Sequence, residues 1–185
     1  MRKFLIGLIF LAMTWPGAAA ALSIGLNLSD DAAELKVANR AQDGMLETQF
    51  SFLHEQNRGD VAGIALHMVD DANPGGAPLN VGIGGRALFV DTDGPNGGGL
   101  ALGGHFRFTL PDMDRLGIGG ELYYAPSIVA GGDLDRHLQW SLRGEYQILR
   151  QANVYIGYRQ VRPAFEEGGS FRLDSGIHAG LRLDF

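Results

Sequence analysis

The chain contains no cysteine, so neither a disulfide framework nor a thiolate metal centre can stabilise it. Beyond residue 15 it has no apolar run long enough for a membrane-spanning helix. The 3.6-residue hydrophobic period of amphipathic helices is also missing. Basic residues are scarce: 15 Lys and Arg stand against 21 Asp and Glu, for a net charge of −6. That balance excludes nucleic acid as a main partner, because phosphate backbones are held by a basic face. Lysine occurs only at Lys3 and Lys36. The remaining cations are arginines, which suit fixed, planar ion pairs.

What is present begins with an export signal. Arg2 and Lys3 precede an uncharged apolar stretch from Phe4 to Trp15, and Pro16-Gly17 breaks it before the alanines Ala18 to Ala21. An apolar run this short reads as a cleaved signal peptide over residues 1–21, with the cut after Ala20 or Ala21. Loss of Arg2 and Lys3 takes the net charge from −6 to −8. Residues 22–185 read as one domain. The 28 glycines are about twice ordinary usage and carry no triplet repeat.

The rest of the chain alternates, which places successive side chains on opposite faces of a strand. In the last segment Ile177, Ala179, Leu181, Leu183 and Phe185 oppose Gly176, His178, Gly180, Arg182 and Asp184. The same pattern runs through 46–52, 62–68, 80–89, 99–110, 116–124, 137–148 and 153–159. Two shorter segments, Leu22–Leu28 and Ala33–Ala38, complete a set of ten. Turn residues separate them, as at Gln42-Asp43-Gly44, Asn57 to Asp60, Asp70 to Pro78, Asp91 to Gly98, Pro126 to Arg136 and Arg162 to Ser170.

Apolar-out with polar-or-glycine-in is the pattern of a transmembrane barrel strand. A soluble antiparallel sandwich also alternates, but its strands are commonly about five or six residues long. It would also expose its glycines on a solvated face, where they weaken a strand. Inside a narrow barrel, glycines make room for larger polar side chains. The expected fold is therefore all-β: a transmembrane antiparallel β-barrel of about ten strands in the bacterial outer membrane. The stretch 69–78 is long for a periplasmic turn, so eight strands stay open as the alternative.

Three further features are the Gly-Glu-Leu-Tyr-Tyr-Ala-Pro stretch at 120–126, Ile-Gly-Tyr-Arg at 156–159 and the terminal Phe185. Together with the signal segment and the alternating strands, they resemble the YfaZ family of small Gram-negative outer-membrane proteins. The likeness spans essentially the whole mature chain. It implies an outer-membrane barrel and carries over no catalytic residue.

Chemistry has few candidates. Glu34, Lys36, Glu47, Arg86, Arg107, Glu121, Arg143, Glu145, Arg159, Arg182 and Asp184 all fall on the inward phase and mix both signs. Charges in a low-dielectric lumen should pair, since an unpaired one costs several kcal/mol. Such a network fits a plugged or very narrow lumen with a structural or interaction role. It would also line a narrow porin-like channel. A third alternative, a lipid-modifying enzyme, needs a nucleophile, a base and an orienting carboxylate in contact. His137, Ser141 and Glu145 share one face, but four residues of strand span about 13 Å. The His-x-Ser arrangement of outer-membrane lipid A deacylases is absent. No catalytic or metal residue is expected, and His54, His67, His105 and His178 read as polar filler. Asp91-Thr92-Asp93-Gly94 begins like a calcium loop, but the remaining ligands do not follow. No cofactor is implied. Phe185 reads as the C-terminal assembly signal. The expected partners are outer-membrane lipid and lipopolysaccharide, with periplasmic chaperones and the barrel-assembly machinery during biogenesis.

Overall fold

Each alternating segment becomes a strand and each turn cluster a hairpin. The computed structural model describes residues 21–166 and 169–185. All but Ala21 of the expected signal segment at 1–21, and Glu167 of the Glu166-Glu167 pair, lie outside them. The strands are β1 (Ala21–Leu28), β2 (Ala32–Arg40), β3 (Leu46–Glu55), β4 (Gly59–Ala72), β5 (Leu79–Asp91), β6 (Gly97–Thr109), β7 (Leu116–Ala125), β8 (Ala130–Gly132), β9 (Leu134–Leu149), β10 (Ala152–Phe165), β11 (Gly169–Ser170) and β12 (Asp174–Asp184). Two single 3₁₀ turns sit in the connectors.

Ten of these strands form a closed antiparallel meander. Closure is made by β1 on β12, where Ser23 pairs with Asp184 and Leu28 with Ala179. No backbone edge is left to solvent in the ring, which is what spanning a bilayer requires. The backbones of Leu22 and Phe185 exchange hydrogen bonds of 2.8 and 3.3 Å at the end that carries both termini. That end is called the terminal end below, and the opposite one the distal end. The two short strands belong to distal loops. β8 pairs with Gly97–Gly99 of β6, and β11 folds back on the tip of β10.

Ten strands, not eight, follow from β1 and β2, which pair along their full lengths. The apparent long turn at 69–78 shrinks because β4 runs on to Ala72. Asp71 pairs with Asn80 and accepts a 2.7 Å hydrogen bond from its side chain. A second difference lies at Arg162 to Phe165, expected as loop but part of β10. Here β12 has already ended its pairing, at Val161 opposite Asp174. On that side Pro163 only accepts, from the Phe171 amide at 3.2 Å, so its missing N–H costs one bond near the end of the strand and not in the main ladder.

The outer surface is apolar. Ile83 and Leu102 are 74% and 75% exposed, and Leu66, Met68, Leu100, Ile156 and Ile177 are likewise exposed. Among the described residues, outward charges such as Asp70, Asp91, Arg136 and Arg162 lie at or near strand ends. A contiguous belt of this size far exceeds what a water-soluble monomer shows. Lipid is its natural solvent.

Inside, glycines sit beneath large side chains. A Cβ on Gly82 would lie 2.5 Å from the His105 ring, and one on Gly180 would lie 2.4 Å from the Tyr155 ring. The same holds at Gly119, where a Cβ would come within 2.7 Å of the Glu145 carboxylate.

Candidate functional site

The interior changes character along the barrel axis. At the distal end Leu53, Val61, Val90, Leu134, Val161, Phe165 and Leu173 are buried together in one apolar cluster. The loop after β10 turns inward to supply Leu173, and Phe171 stacks on Phe165 with ring centroids 5.9 Å apart. Arg58, in the β3–β4 turn, holds that loop by donating to the Arg172 carbonyl at 2.7 Å.

Below the cluster lies a web of ion pairs. Arg159 is 1% exposed and bonds Asp174 through Nε and Glu34 through Nη1, both at 2.6 Å. Asn27 also donates to Glu34, at 3.1 Å. From β2, Lys36 crosses the lumen to Glu121 on β7 at 2.6 Å and also lies 3.5 Å from Glu34. Gln139 donates to Glu121 at 3.2 Å. Arg86 donates to Gln139 and Gln49, and its guanidinium lies 3.6 Å above the Tyr123 ring. Among the described residues Arg86 has no carboxylate partner. Cation–π contact and two amides take that place.

Nearer the terminal end, three arginines converge on one carboxylate. Glu145 receives Arg107 at 2.7 Å, Arg143 at 2.8 Å and Arg182 at 3.5 Å. Arg182 also reaches Asp184 at 3.2 Å, and Asn153 bridges Arg107 to Asp184. Above them a cavity of about 380 Å³ opens toward the terminal end, lined by Lys36, Glu47, His105, Glu121, Arg143, Tyr155 and Arg182 among others. An adjoining space of about 320 Å³ shares Asp71, Asn80 and Arg107 with it.

The nine residues singled out for a charge network, Glu47, Arg86, Arg107, Glu121, Arg143, Glu145, Arg159, Arg182 and Asp184, thus all face the lumen but fall into separate groups. Arg159 joins Glu34 and Asp174, and Glu121 joins Lys36. Glu145 gathers Arg107, Arg143 and Arg182, which also holds Asp184. Glu47 meets neither a lysine nor an arginine at ion-pair distance; its neighbours are His67 Nδ1 at 3.4 Å and His105 Nε2 at 3.9 Å. Asp174 is a partner that the alternating segment beginning at Ser175 missed, although the inward phase 174, 176, 178 contains it.

The serine constellation does not assemble. Ser141 and His137 are buried, and neither ring nitrogen of His137 has a hydrogen-bond partner among the described residues. The Glu145 carboxylate is taken by arginines. In the Asp91–Gly94 loop, Thr92 Oγ1 donates to the Pro95 carbonyl at 2.6 Å and accepts from the Gly94 amide, as in an ordinary hydroxyl-capped turn.

His67 and His105 were not recognised as neighbours from sequence. Reflection about the turn centres would have placed them. Glu47 pairs with His67 across the β3–β4 turn, His67 with Gly84, and His105 with Gly82. With glycine at both 82 and 84, the two imidazoles lean over β5 and meet, ring centroids 4.9 Å apart and nearly perpendicular.

The YfaZ precursor family model matches residues 1–185. The chain belongs to the YfaZ family. Of the stretches that carried the resemblance, 120–126 places Glu121 and Tyr123 in the lumen and Tyr124 outside, and 156–159 places Arg159 at the central ion pairs. No curated protein matches this YfaZ-family chain in sequence. Among solved structures it is similar to the outer membrane channel DcaP of Acinetobacter baumannii, at 12% identity and a TM-score of 0.46, covering 87% of this chain and 54% of DcaP. The KdgM porin matches at 12% identity and a TM-score of 0.44, with 89% of this chain and 99% of KdgM covered. OmpT of Vibrio cholerae matches at 16% identity and a TM-score of 0.39, covering 83% and 56%. Likenesses this distant say nothing about solute or activity.

Proposed function

We propose that this YfaZ-family protein resides in the Gram-negative outer membrane, after removal of a signal peptide ending at residue 20 or 21, and serves there as a structural or interaction protein whose lumen is closed toward the outside. The belt of exposed apolar residues and the ring closure support the membrane assignment. The two longest connectors, 126–133 and 166–173, lie at the distal end, while those at the terminal end (41–45, 73–78, 110–115 and 150–151) are shorter than either, although 29–31 and 56–58 at the distal end are short as well. The two long distal loops support an orientation with the termini in the periplasm.

The observation that carries the closed reading is the distal stack of apolar cluster and buried ion pairs. Arg159, Leu173, Val90 and Val161 are almost wholly buried, which supports a lumen filled tightly enough at these levels to exclude a water path. The polar cavity is then a blind vestibule open to the periplasm. The narrow-channel alternative draws on that same vestibule, which brings water-accessible charge to mid-barrel.

Planar-bilayer recording separates the two. The native barrel is expected to give no stable unit conductance, and Phe165→Gly combined with Leu173→Gly is expected to create one. Stable native unit currents that change on replacing Arg107 or Arg143 would overturn the closed reading in favour of the channel.

A further inference from the structure

The geometry points to a metal site in the vestibule wall, in which Glu47, His67 and His105 bind a divalent cation of the zinc class. One donor atom from each lies within 4.8 Å of the others. Glu47 Oε1 is 3.4 Å from His67 Nδ1 and 3.9 Å from His105 Nε2. Tetrahedral zinc, with bonds of about 2.0–2.2 Å, holds its donors roughly 3.3–3.6 Å apart. The Glu47–His67 spacing already fits, the Glu47–His105 spacing needs a shift of a few tenths of an ångström, and the two imidazole donors, within 4.8 Å of each other, close in as the His105 ring turns toward the cation.

The decisive atom is His67 Nδ1. The ring is 0% exposed, and among the described residues Nδ1 has no hydrogen-bond partner although it faces the Glu47 carboxylate. A simple carboxylate–imidazole hydrogen bond would close to about 2.8 Å. The separation is instead the one that two ligands keep across a shared cation. The other ring nitrogen is already engaged: Nε2 lies 2.7 Å from the Tyr123 hydroxyl. With Nε2–H donating to that oxygen, Nδ1 carries the lone pair a metal needs, and the ring is fixed in orientation. Arg86, stacked on Tyr123, braces the phenol in turn.

Two imidazoles and a carboxylate select zinc-like ions over magnesium or calcium, which take oxygen ligands. Three protein ligands leave a fourth position open. Glu47 and His105 both line the vestibule, so the cation has an entry path and that position can hold water. His105 Nδ1 lacks an outer partner. Missing second-shell bonds commonly cost 10–100-fold in affinity, so the ion exchanges with the periplasm rather than being a permanent part of the fold.

The test uses the full mature barrel, refolded in detergent, stripped with a chelator and titrated with Co²⁺. The expected result is one equivalent giving the intense visible d–d absorption of a low-symmetry, four-coordinate site, displaced by Zn²⁺. Glu47→Gln and His105→Asn should each weaken binding at least about tenfold. His54→Asn, on the outer surface, should leave it unchanged. Heat-modifiable gel mobility establishes that each variant is folded; should Glu47→Gln not fold, His105→Asn carries the test. Absence of the band in the native barrel would overturn the site. So would a band that survives His105→Asn undiminished or disappears in His54→Asn.

Discussion

Arg159→Met should be among the most damaging single substitutions in the barrel. Arg159 holds two carboxylates at 2.6 Å in a place where all three groups are nearly dry, at 1%, 2% and 9% side-chain exposure. Removing one member of a buried ion pair typically costs about 3–5 kcal/mol, because the remaining charge is stranded. The two carboxylates are not stranded equally. Glu34 retains Lys36 at 3.5 Å and Asn27 at 3.1 Å, whereas Asp174 keeps only the Ser29 hydroxyl, at 3.3 Å. Most of the loss therefore arises at Asp174, and the lower part of the range, about 3 kcal/mol, is expected. Neutralising both partners in Arg159→Met/Glu34→Gln/Asp174→Asn should recover more than half, since a buried pair replaced as a unit is often close to neutral. Equilibrium urea unfolding in detergent, followed by the fluorescence of Trp140, measures this. Trp140 is the sole tryptophan after residue 15, and its indole N–H donates to Gln160 at 2.9 Å. A loss below about 1 kcal/mol for Arg159→Met, or a triple variant no more stable than the single one, would refute the claim that stranded charge sets the cost.

The remaining predictions are simpler. Gly103→Ala places a Cβ 2.0 Å from the Leu122 carbonyl and 2.7 Å from the Tyr123 ring, whereas a Cβ at Gly144 meets nothing within 4 Å. The first should cost about 1–3 kcal/mol or block folding, and the second should be neutral; equal urea midpoints would be the refuting result. Phe185→Ala keeps the backbone bonds to Leu22 and removes a ring that is 63% exposed. If that ring is an assembly signal, the variant refolds in detergent with stability unchanged within about 0.5 kcal/mol yet accumulates less in outer membranes. Normal membrane levels would count against the signal.

The strands could be read from the sequence because a lipid-facing strand states its period in every second residue. Ile83 and Leu102, or Ile156 and Ile177, have no other reason to alternate with glycine and arginine. Strand ends were harder to place. Asp70 and Asp71 have turn chemistry, yet β4 includes them because Asn80 and Arg40 supply side-chain partners to Asp71 at 2.7 Å each. Partners across the lumen were out of reach altogether. Glu34 meets Arg159, 125 residues away, and Lys36 meets Glu121, 85 away. Such pairings depend on how far the ring is staggered at closure, and no single hairpin encodes that stagger.

The axial sorting of the interior, by contrast, was present in the sequence all along. On β5, which rises from the terminal end, the inward set turns from polar to apolar, with Asn80, then Arg86, Leu88 and Val90; β3 follows from Glu47 to Leu53 but ends on the buried Glu55. On β4, which descends, the order reverses, with Val61 before His67, whereas on β9 Leu134 joins the distal cluster only through the register shift opposite Phe165, and the alternating inward set there begins with His137 and Gln139. In β4 and β5 this reversal puts apolar residues toward the distal end of the lumen and ionic ones toward the terminal end. Where this sorting holds, it supports the reading of the polar cavity as a vestibule open only at the terminal end, although Glu55 and Asp174 carry buried charge at distal strand ends as well.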